Sequence, residues 1–169
     1  MIEQEETLRL AEETLFLVLE VSNLFTAPFS EHLGKRHNLT LNEHRALMMI
    51  HEMGEVTAGE LAEAIGVSIM TVNRAVAKLK AQGRIAARQD QDNRRRRPLR
   101  LTEAGIALAH EMRPESRRVA DFAMSGLELD EALALRRHLQ TMAATLRSKN
   151  SDGESAFRRY ALEVDTEKP

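Results

Sequence analysis

The chain has 169 residues, enough for one domain, or for a small domain carried on additional helices, with a buried core. It contains no cysteine, which excludes disulfides, thiolate metal sites and thiol-based redox sensing. No run approaches the roughly 18 to 20 apolar residues of a membrane span, and the N-terminus is acidic where a signal peptide is basic. We therefore expect a soluble, cytoplasmic protein.

The charge is unevenly distributed along the chain. The formal net charge is only −2, yet the stretch from Ser68 to Leu101 holds ten Lys and Arg against Asp90 and Asp92, a net charge of +8. The remainder must then carry a net charge of −10. A local basic face on an acidic body is typical of a protein that binds a polyanion.

Two helices are predicted in the N-terminal third. Apolar residues at helical spacing predict a long amphipathic helix over residues 3–24, which nothing interrupts before Pro28. We expect a loop around residues 34–38. The next helix begins at the capping residue Thr40 and ends at Gly54.

Two shorter helices follow. Thr57 caps the first of them, with Glu60 at capping-box spacing. Ser68 opens the second, and Gly83 ends it.

The period then changes to that of strands. The sequences RIAARQD (84–90) and PLRLT (98–102) are short extended candidates, which places four consecutive arginines at the tip of a predicted hairpin. A helix resumes at Thr102, with Pro114 as a kink or break. The last helix repeats apolar residues at intervals of three and four, a seam that requires a partner surface. This seam consists of Ala132, Leu135, Leu139, Met142 and Leu146.

The stretch ELAEAIGVSIMTVNRAVAKL has the pattern of a helix-turn-helix. Such a motif needs a small residue where the helices cross, here Ala62, and a glycine in the turn, here Gly66. Apolar residues hold the second helix in place, namely Ile65, Val67, Val72, Val76 and Leu79.

The second helix of this motif carries side chains suited to DNA. Hydroxyls at a helix N-terminus bind phosphate, Asn reads adenine, Arg reads guanine and Lys adds charge toward phosphate. The predicted outward residues are Ser68, Met70, Thr71, Asn73, Arg74 and Lys78. The alternative is an ordinary solvated helix.

The basic hairpin favours DNA binding over that alternative. A hairpin placed directly after a recognition helix is the layout of a winged helix-turn-helix, in which a wing arginine enters the minor groove. The predicted wing contacts are Arg94, Arg95, Arg96 and Arg97. A localisation signal would need neither the hairpin nor the preceding helix.

The segment from about residue 39 to residue 112 resembles the multiple antibiotic resistance regulators (MarR family). In that family the wing has the pattern D-x-R, a short strand, then L-T-x-x-G. Counting back from Leu101, Thr102 and Gly105 places Arg95 on the minor-groove arginine and Asn93 where the family has an aspartate. An asparagine braces that arginine only through a neutral hydrogen bond, and Asp92 is a possible substitute.

The resemblance also implies an architecture. The expected fold is mainly α with a small β-hairpin wing, a winged helix-turn-helix plus a helical dimerisation region. Residues 1–38 would hold the N-terminal dimerisation helix and loop, 39–102 the DNA-binding domain, 103–148 the C-terminal dimerisation helices and 149–169 a polar tail, mostly disordered by composition. A two-fold dimer would read a palindromic operator with half-sites about 10 base pairs apart.

Family members are often repressors that release DNA when a small molecule, frequently an aromatic acid, binds. The family commonly has a large apolar residue at position 44, where this chain has a histidine. The predicted effector-binding residues are Phe25, Phe29, His32, Arg36, His44, Met48 and His51. In the alternative interpretation, His44 is a partly buried core histidine, and His32 and Arg36 are charges that interact with the dipole of a helix end.

The sequence leaves two alternative functions. A metal-responsive regulator would use His32, His44 and His110 with Glu43, but the close helical ligand pair that such a site needs is missing. A winged helix can also serve as a protein-interaction module. No phosphate loop, nucleophile elbow or paired-His zinc helix is present, so we expect no enzyme activity and no cofactor.

Overall fold

A computed structural model describes residues 2–88, 97–149, 151, 155–157 and 160. Within them, helices dominate and a single hairpin supplies the strands, which confirms the expected fold class. The helices are α1 (Ile2–Pro28), a π turn (Phe29–Leu33), α2 (Gly34–His37), α3 (Leu41–Met53), α4 (Ala58–Ile65), α5 (Ile69–Ala81), α6 (Glu103–Met124) and α7 (Leu129–Arg147), and the strands are β1 (Ile85–Ala87) and β2 (Leu99–Leu101).

The predicted helix starts are confirmed by their capping bonds. Thr40 and Thr57 each accept a hydrogen bond from the backbone three residues on, and Glu43 and Glu60 bond back to the cap residues. Ser68 caps α5 by accepting a hydrogen bond from the Thr71 backbone N–H. These bonds satisfy N–H groups that a helix start otherwise leaves unpaired.

The predicted loop around residues 34–38 is wrong, because the chain stays helical as far as His37. Pro28 has no N–H to donate to the turn before it. The helix nevertheless continues past Pro28 as a π turn, in which the Gly34 N–H donates a hydrogen bond to the Phe29 carbonyl. A Cβ at Gly34 would lie 2.9 Å from the Leu39 carbonyl oxygen and 3.1 Å from the Phe29 ring. This glycine therefore permits close packing rather than a turn, and the helix ends at Asn38, which is left-handed (φ 51°).

The core lies where α3, α4 and α5 pack together. Leu47 and Ile50 of α3, Leu61 of α4 and Leu79 of α5 are completely buried. Val56 joins this core through a β-bridge to Leu99, with N–H to carbonyl hydrogen bonds in both directions. The hairpin is thereby attached to the helical core on its β2 side.

The two predicted wing strands pair antiparallel, with Ile85 opposite Leu101 and Ala87 opposite Leu99. Thr102 fixes the return of the chain into α6, since its hydroxyl donates to the Gly83 carbonyl at 2.6 Å. A Cβ on Gly105 would collide with the Arg84 carbonyl oxygen. The L-T-x-x-G pattern therefore lets α6 begin in contact with the base of the wing.

Two compact units are present, Met1–Ala120 and Asp121–Pro169, and their boundary falls within α6. The break considered at Pro114 is absent: α6 runs through it, although the proline has no N–H to donate to the His110 carbonyl. In the second unit, α7 begins at a capping box between Glu128 and Glu131.

No residue of α7 is buried, and the predicted seam stays accessible to solvent. Most of the tail, residues 149–169, lies outside the described residues, so its predicted disorder stays a prediction. Among the helices described, none is both long and apolar enough to cross a membrane.

Candidate DNA-binding surface and ligand cavity

The helix-turn-helix forms as predicted, from α4 and α5. Ala62 is buried at the helix crossing, and Gly66 adopts a left-handed conformation (φ 77°) that only glycine takes without strain. Val72, Val76 and Leu79 are buried beneath α5, and Ile65 and Val67 pack partly buried against the core. The second helix, hereafter the recognition helix (α5, Ile69–Ala81), is thus held with one face outward.

The outward face carries most of the predicted DNA contacts. Ser68, Met70, Asn73 and Arg74 are exposed, and Thr71 and Lys78 are half-buried. The Ser68 and Thr71 hydroxyls lie 2.9 Å apart at the start of the helix. The structure therefore places all six side chains on or beside one face, where their contact with DNA stays a prediction.

Several basic side chains of the +8 stretch are already engaged within the protein. The Lys78 ammonium lies 3.1 Å from a Glu43 carboxylate oxygen. Arg84 donates to the His37 carbonyl at 2.8 Å, and Arg88 lies 3.6 Å from Glu55. The cationic groups left without an ion pair in the described structure include the exposed Arg74, Lys80, Arg97 and Arg100.

The tip of the wing lies largely outside the described residues. Arg94, Arg95 and Arg96 fall there, together with Asn93, so the choice of a minor-groove arginine stays a prediction. Arg97 is described, and it is exposed where the chain enters β2. Arg88 N–H donates to the Pro98 carbonyl at 2.9 Å, which closes the described part of the hairpin.

A cavity of about 120 Å³ lies in the first unit, where α1, the π turn, α3 and α6 meet. An apolar cavity of roughly 150 Å³ holds a benzene molecule, so this space is of the size of one aromatic ring. Most of its surface is apolar. Its lining residues are Phe25, Thr26, Pro28, Phe29, Leu33, Leu41, His44, Arg45, Glu115, Ser116 and Val119.

His44 is one of the polar residues that line this cavity. Its ring stacks on Phe29 with 4.6 Å between the ring centroids and a 30° tilt. Burial, together with the charge of Arg45, lowers the pKa of His44 to about 4, so the imidazole is neutral near neutral pH. Its Nε2 is buried and has no hydrogen-bond partner within the described part of the chain. A buried polar atom of this kind favours a ligand or a water molecule as its partner.

The cavity gathers three of the seven predicted effector residues, Phe25, Phe29 and His44. Met48 lines a neighbouring open depression that also reaches His44 and Arg45.

The other three predicted effector residues lie elsewhere. His32 is exposed on the π turn. Arg36 lies 3.2 Å from Glu111 in an ion pair. His51 contacts Arg113 at 3.3 Å and packs edge-on against His110. None of these three side chains lines the cavity, and Arg36 and His51 contact other residues instead.

Sequence reasoning missed Arg45, which lines both the cavity and the depression beside it. It makes no ion pair with any described residue. Its position directly after His44 is the only sequence signal that pointed to it. Glu115, Ser116 and Val119 come from α6, far away in sequence, and nothing local could have indicated them.

The groups considered for metal binding are not assembled into a site. Over residues 2–88 and 97–149, no set of three or more His, Asp or Glu side chains is placed to hold a metal ion. Glu43 is occupied by Thr40 and Lys78, and His44 faces Phe29.

The chain is similar to known transcriptional regulators. Residues 39–96 match the family model described as the MarR family. The chain is 30% identical over 104 residues to the HTH-type transcriptional repressor NicR of Pseudomonas putida. The aligned region covers 62% of this chain and 66% of NicR, so the match spans just under two thirds of the length of NicR.

Two solved structures share the fold. The MarR-family transcriptional regulator from Silicibacter pomeroyi has a TM-score of 0.72 at 23% identity, covering 81% of this chain and 92% of that one. BpsR of Bordetella bronchiseptica, described as regulated in its DNA binding by 6-hydroxynicotinic acid, has a TM-score of 0.67 at 24% identity, covering 78% and 98%. At these identities the likeness establishes the winged-helix fold.

Proposed function

We propose that this chain is a transcriptional regulator of the MarR family, a homodimeric repressor that binds a palindromic operator and releases it when a small aromatic acid binds. The observation that carries the proposal is the recognition helix. It is capped, fixed on a buried apolar face, and presents Ser68, Asn73 and Arg74 outward.

The exposed face of the recognition helix supports sequence-specific contact with DNA. Arg74 and Asn73 are exposed and neighbouring, and Arg and Asn are the side chains that form paired hydrogen bonds with guanine and adenine. Ser68 and Thr71 hydroxyls at the helix start suit a phosphate. The wing adds Arg97, with Arg94, Arg95 and Arg96 beside it in sequence, for the backbone and the minor groove.

The dimer is supported by apolar side chains that one chain leaves in water. In α1, Leu15, Phe16 and Leu19 are among many exposed hydrophobic residues, and in α7 Leu135, Leu139 and Leu146 are at least 40% exposed. Exposed apolar residues clustered on a helix mark an interaction site. A two-fold symmetric partner would bury these helices and set the spacing of two recognition helices.

The cavity supports a single-ring aromatic carboxylate as effector. Phe25 and Phe29 supply aromatic walls, and Arg45 is a cation without an ion pair among the described residues. The neutral His44 can pair through Nε2 with a hydroxyl or ring nitrogen on the same ligand. The regulation of BpsR by 6-hydroxynicotinic acid gives a precedent for a ligand of this chemistry in a protein of this fold.

Release would follow from a shift between two dimer spacings. One form of the dimer cannot place both recognition helices in successive major grooves. The effector must bind this form more tightly than it binds the DNA-bound form. The cavity is positioned for this role, because its walls include α1 and α3, and α3 packs on the recognition helix.

Selection of bound duplexes from a random pool tests the proposal. We expect enrichment of a palindrome with half-sites about 10 base pairs apart. Recovery of no common sequence would reject the repressor and leave a winged helix that contacts protein. The wild-type chain and Arg74→Ala are compared in parallel, since the variant should enrich a more degenerate sequence.

A further inference from the structure

Two large apolar side chains are exposed at the start of the recognition helix. Met70 is 70% exposed and Ile69 is 46% exposed. Four other apolar residues of this helix, Val72, Ala75, Val76 and Leu79, are buried. Met70 therefore contributes little to the core, although it lies in the first turn of a tightly held helix.

The neighbours of Met70 indicate what covers it. It lies between the capping Ser68 and the exposed pair Asn73 and Arg74. In a helix-turn-helix, the N-terminal residues of the second helix are the ones that reach base edges in the major groove. The apolar feature that bases present in that groove is the C5-methyl group of thymine.

We propose that Met70 reads the C5-methyl group of a thymine in each operator half-site. The inference rests on the proposed DNA-binding function and adds a specificity-determining residue to it. A thioether side chain suits this contact because it is unbranched, polarisable and able to fit a small apolar group. The two-fold dimer would present two copies of Met70 and read one thymine in each half-site.

Replacing each thymine of the enriched duplex by deoxyuridine, one position at a time, tests the contact, because only the methyl group is removed. We expect binding about fourfold weaker at one position of each half-site, the change that corresponds to ~0.8 kcal/mol for one buried CH₂ group. In Met70→Ala that penalty should vanish, so the double-mutant cycle assigns the methyl contact to this side chain.

Ile69→Ala serves as the matched control, since Ile69 is apolar, exposed and adjacent, and it should keep the deoxyuridine penalty. Circular dichroism melting confirms that each variant is folded. Equal affinity for thymine and deoxyuridine duplexes at every position would overturn the inference, as would an unchanged penalty in Met70→Ala. Failure to enrich any duplex would overturn the proposed function itself and this inference with it.

Discussion

The Lys78 ammonium lies 3.1 Å from a carboxylate oxygen of Glu43, and this ion pair joins the recognition helix to α3. Glu43 is only 4% exposed, and the same oxygen accepts a hydrogen bond from the Thr40 N–H at 3.0 Å. The next residue, His44, lines the ligand cavity. The ion pair therefore connects the helix proposed to read DNA with the helix that carries a cavity-lining residue.

Lys78→Met should lower the free energy of unfolding by about 1 to 3 kcal/mol, because it leaves a buried carboxylate without its cation. Urea unfolding measures this cost. Glu43→Gln keeps a side chain that can form the capping box but removes the buried negative charge. In that background, Lys78→Met should lower the free energy of unfolding much less.

The salt dependence of DNA binding separates the two roles of Lys78. If its ammonium is held by Glu43, the slope of log K against log salt should be unchanged in Lys78→Met. A slope reduced by about one unit would instead show a phosphate contact. Lys80→Met is the matched control, since Lys80 is exposed on the same helix and has no ion pair with the described residues.

The helix-turn-helix and the hairpin could be predicted because their signals are local. Each of these signals depends on residues only a few positions apart: the capping pair Thr57 and Glu60, the turn glycine Gly66, and the strand alternation around Ile85. The loop predicted around Gly34 failed for the opposite reason: Pro28 and Gly34 look like helix breakers until the close contact with Phe29 is known.

The partners of charged side chains were also beyond the sequence. Lys78 is predicted to contact phosphate, and that prediction did not include its ion pair with Glu43, on a different helix. Arg45 enters the cavity only because α1 and α6 cover that side of α3. Contacts between residues far apart in sequence determine both outcomes, and no periodicity reports them.

Arg74→Ala should weaken operator binding by about 1 to 3 kcal/mol and relax the preference at one base position. The physical reason is the loss of paired hydrogen bonds to a guanine edge. Competition between the operator and single-base variants measures it. A uniform loss across all sequences would assign Arg74 to the phosphate backbone instead.

Arg95→Ala should weaken binding and reduce the salt slope by about one unit, because one cation fewer displaces counterions from the DNA. Arg97→Ala, at the described base of the wing, is measured in parallel, so that the reductions in salt slope caused by the two substitutions can be compared. Arg9→Ala, an exposed arginine paired with Glu13 on α1, is the control that should leave the slope unchanged. Equal slopes in all variants would exclude the wing from the interface.

His44 should make the protein less stable in acid. Its pKa is lowered from 6.5 to about 4 in the folded state, so between these values the unfolded chain takes up a proton that the folded chain does not. The free energy of unfolding should fall by on the order of 2 kcal/mol as pH drops through this window, allowing for partial exposure.

Urea unfolding at about pH 7.5 and about pH 5 measures that loss. His44→Gln should show a smaller loss than the wild type. His138→Gln, which replaces an exposed histidine of α7, should behave like the wild type. An identical pH dependence in His44→Gln would contradict the neutral, buried state of this imidazole.

His44→Ala and Arg45→Ala should retain operator affinity and weaken release by an aromatic carboxylate. The expected reason is the loss of the Nε2 partner in one variant and of the cation in the other. Titration of a hydroxylated nicotinic acid into the operator complex measures release. His32→Ala is the control, because His32 lies outside the cavity lining, and its response should equal that of the wild type.

The most direct test of the account is the affinity of the chain for its enriched palindrome relative to a shuffled duplex of the same composition at physiological salt. Sequence-specific regulators of DNA bind their sites at least roughly 10³-fold more tightly than other sequences. We predict a ratio of that order, with two chains bound per palindrome. Equal affinity for both duplexes would contradict the central claim that the recognition helix reads DNA sequence.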